Sequence, residues 1–537
     1  MDNRVLLYFR FARSKCKSKL SHFSLAAENK KIVLILISSL LIVIGIELYN
    51  LTAVSLWHDE AFSALLIQYD FKEMMHRISL DVHPPFYYIV LKGWNFFFGN
   101  SLFSLRFFSV FFGVLAILSV YFLVKEAFKN KKLALLSSVL LAFNSFQIQY
   151  VMEARMYSLA LFLIILSSYL LIKSLKSQKL IWWFLYSLAV IAGIYTHYFF
   201  FFLVASQGIF FLFWIIKNSQ FNFLEFFTPL EITKTRKKHK ILKSLTGFKL
   251  GLGAYLAVIF SYLPWLRIFL NQLNQVQESY WIPKMSIWSV PNTFAKMTIG
   301  EEIDSSKFWY ILSGIVVIAI IAFIYALKKI ESSYKWLIFL LLIIPFSAVI
   351  VLSIKTSIYM DRYFILCLPF YIILIGGAIL KIENKSVKNI LIGIVILGSL
   401  ISFPIYWINL NVKEKPGIAE ATNYLKQEIK PNDKIFVGSS LIYFNFKYYN
   451  QTGIHPLLYA PGPLEHFSGT ALLSSEDIIK NFSHPTKKDD IVWIINTTGF
   501  GNYQPQVPEN WAKLKEKNFQ EVYDYRGWII VTKYQVN

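Results

Sequence analysis

Three stretches of the chain bring together side chains that could move a proton and hold an anion. His58, Asp59 and Glu60 sit side by side in LWHDEAF (56–62), and FKEMMHRISLDVHPPFYYIVLKGW follows, with His83 ahead of two prolines. Glu153, Arg155 and Tyr157 lie in QYVMEARMYSL (149–159), and Asp361, Arg362 and Tyr363 in YMDRYFILCLP (359–369). Thr196-His197-Tyr198 adds a further outward histidine and tyrosine. A carboxylate near a hydroxyl can take its proton. A guanidinium facing a cavity suits a phosphate, because its planar fork makes charge-assisted, bidentate bonds. Glu153 and Tyr157 are four apart, so a helix would place them on one face, with Arg155 turned to another wall.

These residues must be held by a membrane. Of 537 residues 56% are hydrophobic and 16% charged, and the mean hydropathy is +0.49. Soluble domains run at about 45–50% apolar and about 25% charged. Disorder, collagen and coiled coil are excluded on the same figures. Cys16 and Cys367 are too few and too distant for a disulfide framework or a cysteine zinc site. Apolar runs near 32–49, 104–124, 133–148, 157–172, 181–196, 198–216, 251–270, 309–327, 336–352, 363–380 and 389–407 predict about eleven transmembrane helices. The first follows a basic leader without a small-residue cleavage site, as a retained signal-anchor would.

Charge then sets the orientation. With the N-terminus (1–31) inside, the inner segments are 1–31, 125–132, 173–179, 217–250, 328–335 and 381–388. They hold 29 of the 54 basic and 7 of the 32 acidic residues, which is the whole net charge of +22. That asymmetry follows the positive-inside rule. The cluster Lys234, Arg236, Lys237, Lys238 and Lys240 reads as a cytoplasmic patch facing phospholipid, so no nucleic-acid partner is expected.

The outer face carries loops 50–103, 144–157, 271–308 and 353–362, within a membrane module spanning 32–407. In the first loop, apolar residues at helical spacing (Phe62, Leu65, Leu66 and Tyr69, then Met74, Met75 and Ile78) predict helices lying in the interface. His83-Pro84-Pro85 predicts an extended step into a helix start. Residues 408–537 are far less apolar. A helix after Pro416, strands at 434–440 and 490–498, and a closing pair EVYDYR and GWIIVTKY predict a small extracytoplasmic α/β domain. The Gly-Leu-Gly at 251–253 lies inside an apolar run with no strand before it, so no nucleotide cofactor is expected.

In this order and in these loops, WHDEA, HPPFYYIVLKGW, QYVMEARMYSL, THYFFFFL and DRYFILCLP resemble the bacterial and archaeal GT-C glycosyltransferases. The branch is that of the protein O-mannosyltransferases and aminoarabinose transferases, and the resemblance covers roughly residues 30–410. It implies multi-pass residence in the cell membrane and hexosyl or pentosyl transfer from a polyprenyl-phosphate-sugar donor lipid. The acceptor would be a glycan, lipid or protein on the outer face. It also implies that Asp59 and Glu60 are the essential acids. One of them would act as base or, with Glu153, help hold a divalent metal cation, although Glu stands where Asp is usual. On this reading Arg155 and Arg362, with His83, hold the donor phosphate, and Tyr157, His197, Tyr198 and Tyr363 line the substrate site. Two other activities compete: a transporter or flippase of lipid-linked saccharides, and a glycan polymerase or ligase. A transporter predicts ionisable residues at mid-span and internal repeats. Here the charges crowd the outer mouth.

Overall fold

The computed structural model describes residues 28–49, 51–218, 235–278, 281–300, 305–409, 417–482, 485–499, 502–520 and 527–537. Every predicted apolar run is helical. The chain begins with α1 (Glu28–Tyr49). Three short helices follow where interfacial ones are expected: α2 (His58–Leu66), α3 (Phe71–Leu80) and α4 (Phe86–Phe98). Then come α5 (Leu102–Phe128), α6 (Lys131–Ala142), α7 (Ser145–Val151), α8 (Tyr157–Ser177), α9 (Leu180–Ile194), α10 (Phe200–Asn218) and α11 (Thr235–Glu278). The membrane module closes with α12 (Ser289–Ile299), α13 (Ser305–Lys329), α14 (Lys335–Ser353), α15 (Leu368–Leu380) and α16 (Lys385–Asn409). Among the described residues eight helices are long and apolar enough to cross a bilayer, or nine if α6 and α7 make one broken span. α9, at 15 residues, is only about 22 Å long. α8 and the 361–380 segment are the most buried spans, while α1, α11 and α13 present most of their surface outward, as lipid-facing helices do.

Several expectations are corrected locally. The run 133–148 is not one helix: α6 and α7 meet at a 59° bend. Asn144 caps α7 by accepting from Gln147 N, and its amide nitrogen donates to the Met297 carbonyl. Glu153 and Tyr157 do not share a helix, since residues 152–156 form bends and a turn between α7 and α8. Asp361–Tyr363 opens a 3-10 helix, Asp361–Cys367, ahead of α15. The charge cluster beginning at Lys234 falls on residues whose side chains lie outside the described set.

The C-terminal domain contains α17 (Gly417–Glu428) and α18 (Ser440–Tyr449) with β1 (Lys434–Val437), β2 (Leu457–Tyr459), β3 (Ile478–Ile479), β4 (Ile491–Thr497), β5 (Trp511–Gln520) and β6 (Trp528–Val536). The sheet order is β3-β2-β1-β4-β6-β5. The first four strands run parallel and β6 and β5 antiparallel. Parallel β1 and β4 are buried on both faces, which is why IFV and VWII are unbroken apolar runs. The last strand, β6, pairs with β4 and β5, and EVYDYR, its predicted partner, lies outside the described residues. β5 is an edge strand whose Lys513, Lys515 and Lys517 blunt further pairing.

The domain is pinned to the membrane module. Tyr449 Oη accepts from Leu56 N (2.9 Å) and Asn445 Nδ2 donates to the Leu56 carbonyl (2.9 Å). Tyr448 Oη donates to Asn100 O (2.6 Å), and Arg77 Nη1 of α3 donates to Ala471 O (3.1 Å).

Candidate functional site

Asp59 is the second residue of α2, so its position depends on how that helix is fixed. The next residue, Glu60, does the fixing. Glu60 is fully buried, and its two oxygens take Arg106 Nε (2.9 Å) and Nη2 (2.7 Å) from α5 in a fork-to-fork pair. The same oxygens accept Trp57 N (3.2 Å) and Ala154 N (2.7 Å). Arg106 in turn donates to the carbonyls of Leu51 (2.9 Å), Val54 (2.8 Å) and Ser55 (3.2 Å). One buried ion pair thereby ties together the 51–55 turn, α2, α5 and the 152–156 loop. Glu60 does not line the cavity described below; it positions both Asp59 and Arg155, where the sequence had suggested a catalytic acid.

The cavity is about 880 Å³ in volume and lies between the first outer loop, α10, α11, the 358–363 segment and the C-terminal domain. Asp59, His83, Arg155, Tyr157, His197, Tyr198, Arg362 and Tyr363, from four separate stretches of sequence, all line it. Glu60 and Glu153 do not. Asp81, Trp57 and Trp281, which sequence reasoning missed, do.

Asp59 keeps 32% of its side-chain surface open to this cavity. Burial alone would raise its pKa. The charges of Arg155, His58, Arg362 and His83 outweigh that effect and hold the carboxyl below its usual value, so it is ionised at neutral pH. Arg155 is almost fully buried. Its Nη2 lies 3.5 Å from Asp59 Oδ2 and 3.3 Å from His83 Nε2, and its Nη1 donates to Asp59 O (3.1 Å) and Ser63 Oγ (3.3 Å). His83 Nδ1 is 2.9 Å from Asp81 Oδ2. The tautomer carrying its proton on Nδ1 satisfies both contacts: Nδ1–H donates to Asp81 and Nε2 accepts from Arg155. A ring nitrogen engaged in that way orients Arg155 and does not itself meet a phosphate.

Arg362 differs. Its guanidinium lies over the rings of Trp57 (5.7 Å) and Trp281 (5.9 Å), and among the described residues it makes no side-chain hydrogen bond. A cation held by aromatic faces, with its donors unspent, is arranged to receive an anion from the cavity. His197 is a poor cation here. Burial, with the charges of His83 and Arg155, drives its pKa to about 3, and its Nδ1 accepts from Phe199 N (3.1 Å). Its ring packs against Tyr363 (5.2 Å) and Tyr157 (5.9 Å). Tyr198 Oη is bonded to Gln272 and accepts from Trp265 Nε1 (3.0 Å), so it braces α11. Where α10, α11 and α14 border it the lining is apolar, with Phe201, Phe202, Tyr262, Leu266, Phe269 and Leu352 forming an apolar corridor.

The residues do not fit a protein-bound metal. Asp59 and Glu153 are the expected ligands, but Asp59 faces two guanidiniums and Glu153 is buried outside the cavity, within electrostatic reach of Arg362 and Tyr157. Among the described residues no group of three His, Cys, Asp or Glu side chains is placed to hold a cation.

Residues 82–225 match the family of dolichyl-phosphate-mannose-protein mannosyltransferases. No curated protein matches the chain by sequence. Among solved structures, ArnT from Cupriavidus metallidurans bound to undecaprenyl phosphate superposes with a TM-score of 0.55 at 11% identity, covering 92% of this chain and 97% of that one. The apo form of the same enzyme gives 0.54 at 12% identity, covering 94% and 98%. The shared fold extends through the C-terminal domain. The chain is a polytopic helical membrane protein of GT-C architecture that resembles the protein O-mannosyltransferases and ArnT.

Proposed function

We propose that this protein transfers a sugar from a polyprenyl-phosphate donor to an acceptor hydroxyl at the extracytoplasmic face, with inversion and with Asp59 as general base. The observation that carries this reading is Arg362: a guanidinium over two indole rings whose donors are unspent among the described residues, in one cavity with an ionised carboxylate and an apolar corridor. The lipid tail lies in the corridor between spans, and the phosphate meets Arg362. The acceptor oxygen attacks the anomeric carbon from the side opposite the phosphate, and its proton passes to an oxygen of Asp59. The bond from that carbon to the phosphate oxygen breaks, its electron pair stays on the phosphate, and Arg362 stabilises the charge that develops there. A second carboxylate acting as general acid is unnecessary, because a phosphate already leaves readily. The ArnT neighbour is described with undecaprenyl phosphate bound, which supports a lipid phosphate of this class. The concentration of positive charge on the opposite segments supports an outward-facing site and an outside C-terminal domain.

The test is purified full-length protein in nanodiscs, supplied with undecaprenyl-phosphate-linked sugars and with outer-envelope glycans and lipids as acceptors. Asp59→Asn is expected to lower turnover about 10²–10⁴-fold while undecaprenyl phosphate still binds. Wild-type turnover in Asp59→Asn would remove this residue from the mechanism. Failure of the wild type to bind undecaprenyl phosphate would remove the donor class.

A further inference from the structure

The cavity has a half that the lipid donor does not explain. Its outer side is closed by the C-terminal domain through Leu441 at the start of α18 and through His466, Phe467 and Gly469 in a tight turn. These residues lie about 400 positions from Asp59 in sequence, yet they are held against it rigidly. Phe444 of α18 packs on His58 (ring centroids 5.5 Å) and edge-on to Phe62 (6.0 Å), which share α2 with Asp59. The turn in its turn sits on Phe444. Gly469 has φ +77°, and a Cβ there would lie 2.2 Å from the Phe444 ring, so only glycine allows this approach. Arg77 Nη1 ties the far side of the turn to α3 through Ala471 O (3.1 Å). The roof is a fixed wall, built in register with the catalytic helix.

Its chemistry differs from that of the floor. Leu441, Phe467 and Gly469 are uncharged. Burial holds the His466 imidazole below its usual pKa against the opposing pull of Asp81 and Glu465. The cations Arg155 and Arg362 both belong to the membrane module. A group that approaches Asp59 from outside passes between a neutral aromatic wall and a carboxylate, a poor path for a phosphate headgroup. Polar groups of Asp81 and His466 border the same space. A ring with one apolar face and several hydroxyls matches that lining, since the hydroxyls reach the polar groups while the face lies on an aromatic.

We propose that the C-terminal domain forms the acceptor half of the active site and that Phe467 is the platform on which a neutral saccharide terminus of the acceptor lies. This rests on the transferase reading above, and it assigns the acceptor as a glycan hydroxyl rather than a serine or threonine of a polypeptide. The group transferred and the bonds exchanged are those of the donor reaction; Phe467 only orients the attacking hydroxyl toward Asp59.

The experiment compares full-length wild type, Phe467→Ala and Phe467→Tyr in two readouts. One is binding of undecaprenyl phosphate to purified protein. The other is mass analysis of outer-surface glycans and proteins in cells that lack the chromosomal copy and express each variant at equal level. Phe467→Ala is expected to bind undecaprenyl phosphate as the wild type does and to lower glycan modification about ten-fold. Phe467→Tyr, which keeps the ring face, is expected to restore it. Wild-type modification by Phe467→Ala would overturn the platform. A parallel loss of undecaprenyl phosphate binding would show that the residue serves the whole cavity and also overturn it. Modification found on protein instead of glycan would overturn the acceptor class. If the wild type itself bound no undecaprenyl phosphate, the donor reading would fail, and that outcome is separate from all of these.

Discussion

Glu60→Gln separates a role in folding from a role in chemistry. The substitution is isosteric, but each Glu60 oxygen accepts two donors: one takes Arg106 Nε and Ala154 N, the other Arg106 Nη2 and Trp57 N. Whichever way the new amide points, its NH2 faces two donors, so two of the four bonds are lost along with the charge that balances Arg106. Removing one partner of a buried pair costs about 3–5 kcal/mol, a large part of a folded protein's usual margin of about 5–15 kcal/mol. The variant is therefore expected to unfold at markedly lower temperature or denaturant, and Arg106→Gln is expected to do the same. The double variant should cost much less than the sum of the two. The assay is unfolding of the purified variants in one fixed detergent, beside single-turnover transfer. A Glu60→Gln protein with wild-type stability and transfer reduced a hundred-fold would refute the positioning role and return Glu60 to the chemistry.

Because its neighbours hold Asp59 below the usual carboxylate range in the free protein, its acid limb in the kcat/KM profile should lie below about pH 4: the base is ionised above that and protonated as pH falls through it. A limb assigned to Asp59 above pH 5 would contradict the cavity's electrostatics. Arg362→Lys keeps the charge but loses the fork and the stacking on Trp57 and Trp281, so undecaprenyl phosphate affinity and turnover should both fall, checked by lipid titration and single-turnover rates. Cysteines placed at Ser244 and Ser474, in a background with Cys16 and Cys367 replaced, should label from the cytoplasmic and the outer side respectively; labelling of both from the same side would refute the topology, and labelling from the exchanged sides would reverse the orientation of the site.

Much of this was legible because lipid demands it. A bilayer offers no partner for backbone amides, so spans must be long apolar helices; the predicted runs lie on helices, of which eight or nine among the described residues are long and apolar enough to cross, against about eleven expected. Most of the residues singled out in the connecting segments, though not Glu60, Glu153 or Asp361, then converge on one cavity because those segments meet there. Misreadings came where a partner lies far off in sequence. Arg106 stood inside the run 104–124 as its one charge, which is itself a signal that a buried acid must exist elsewhere. Reading it would have moved Glu60 from catalysis to structure. WAKLKEKNFQ looks polar along most of its length because an edge strand faces water on that stretch, so β5 escaped the strand pattern. The break at 152–156 is held by Glu60 accepting from Ala154 N, a tertiary bond that overrides local helix periodicity.

In the proposed reaction the fixed charges would couple proton transfer to bond breaking. Asp59 is the ion partner of Arg155 before reaction, at 3.5 Å, and Arg155 is almost buried, so its charge has little water to turn to. If Asp59 takes the acceptor proton, as proposed, it loses its negative charge, and the field of Arg155 is no longer balanced nearby. In the same step the departing phosphate oxygen gains negative charge beside Arg362. The positive potential that Asp59 had quenched becomes available to the leaving group as that charge appears, without any side chain having to move. His83 contributes by keeping Nη2 of Arg155 aimed at Asp59 through Asp81. On this account Asp81→Asn, which weakens the hold on His83 but leaves both guanidiniums, Arg155 and Arg362, in place, lowers kcat more than it changes undecaprenyl phosphate affinity. A fall in affinity with kcat intact would place Asp81 and His83 in donor binding instead.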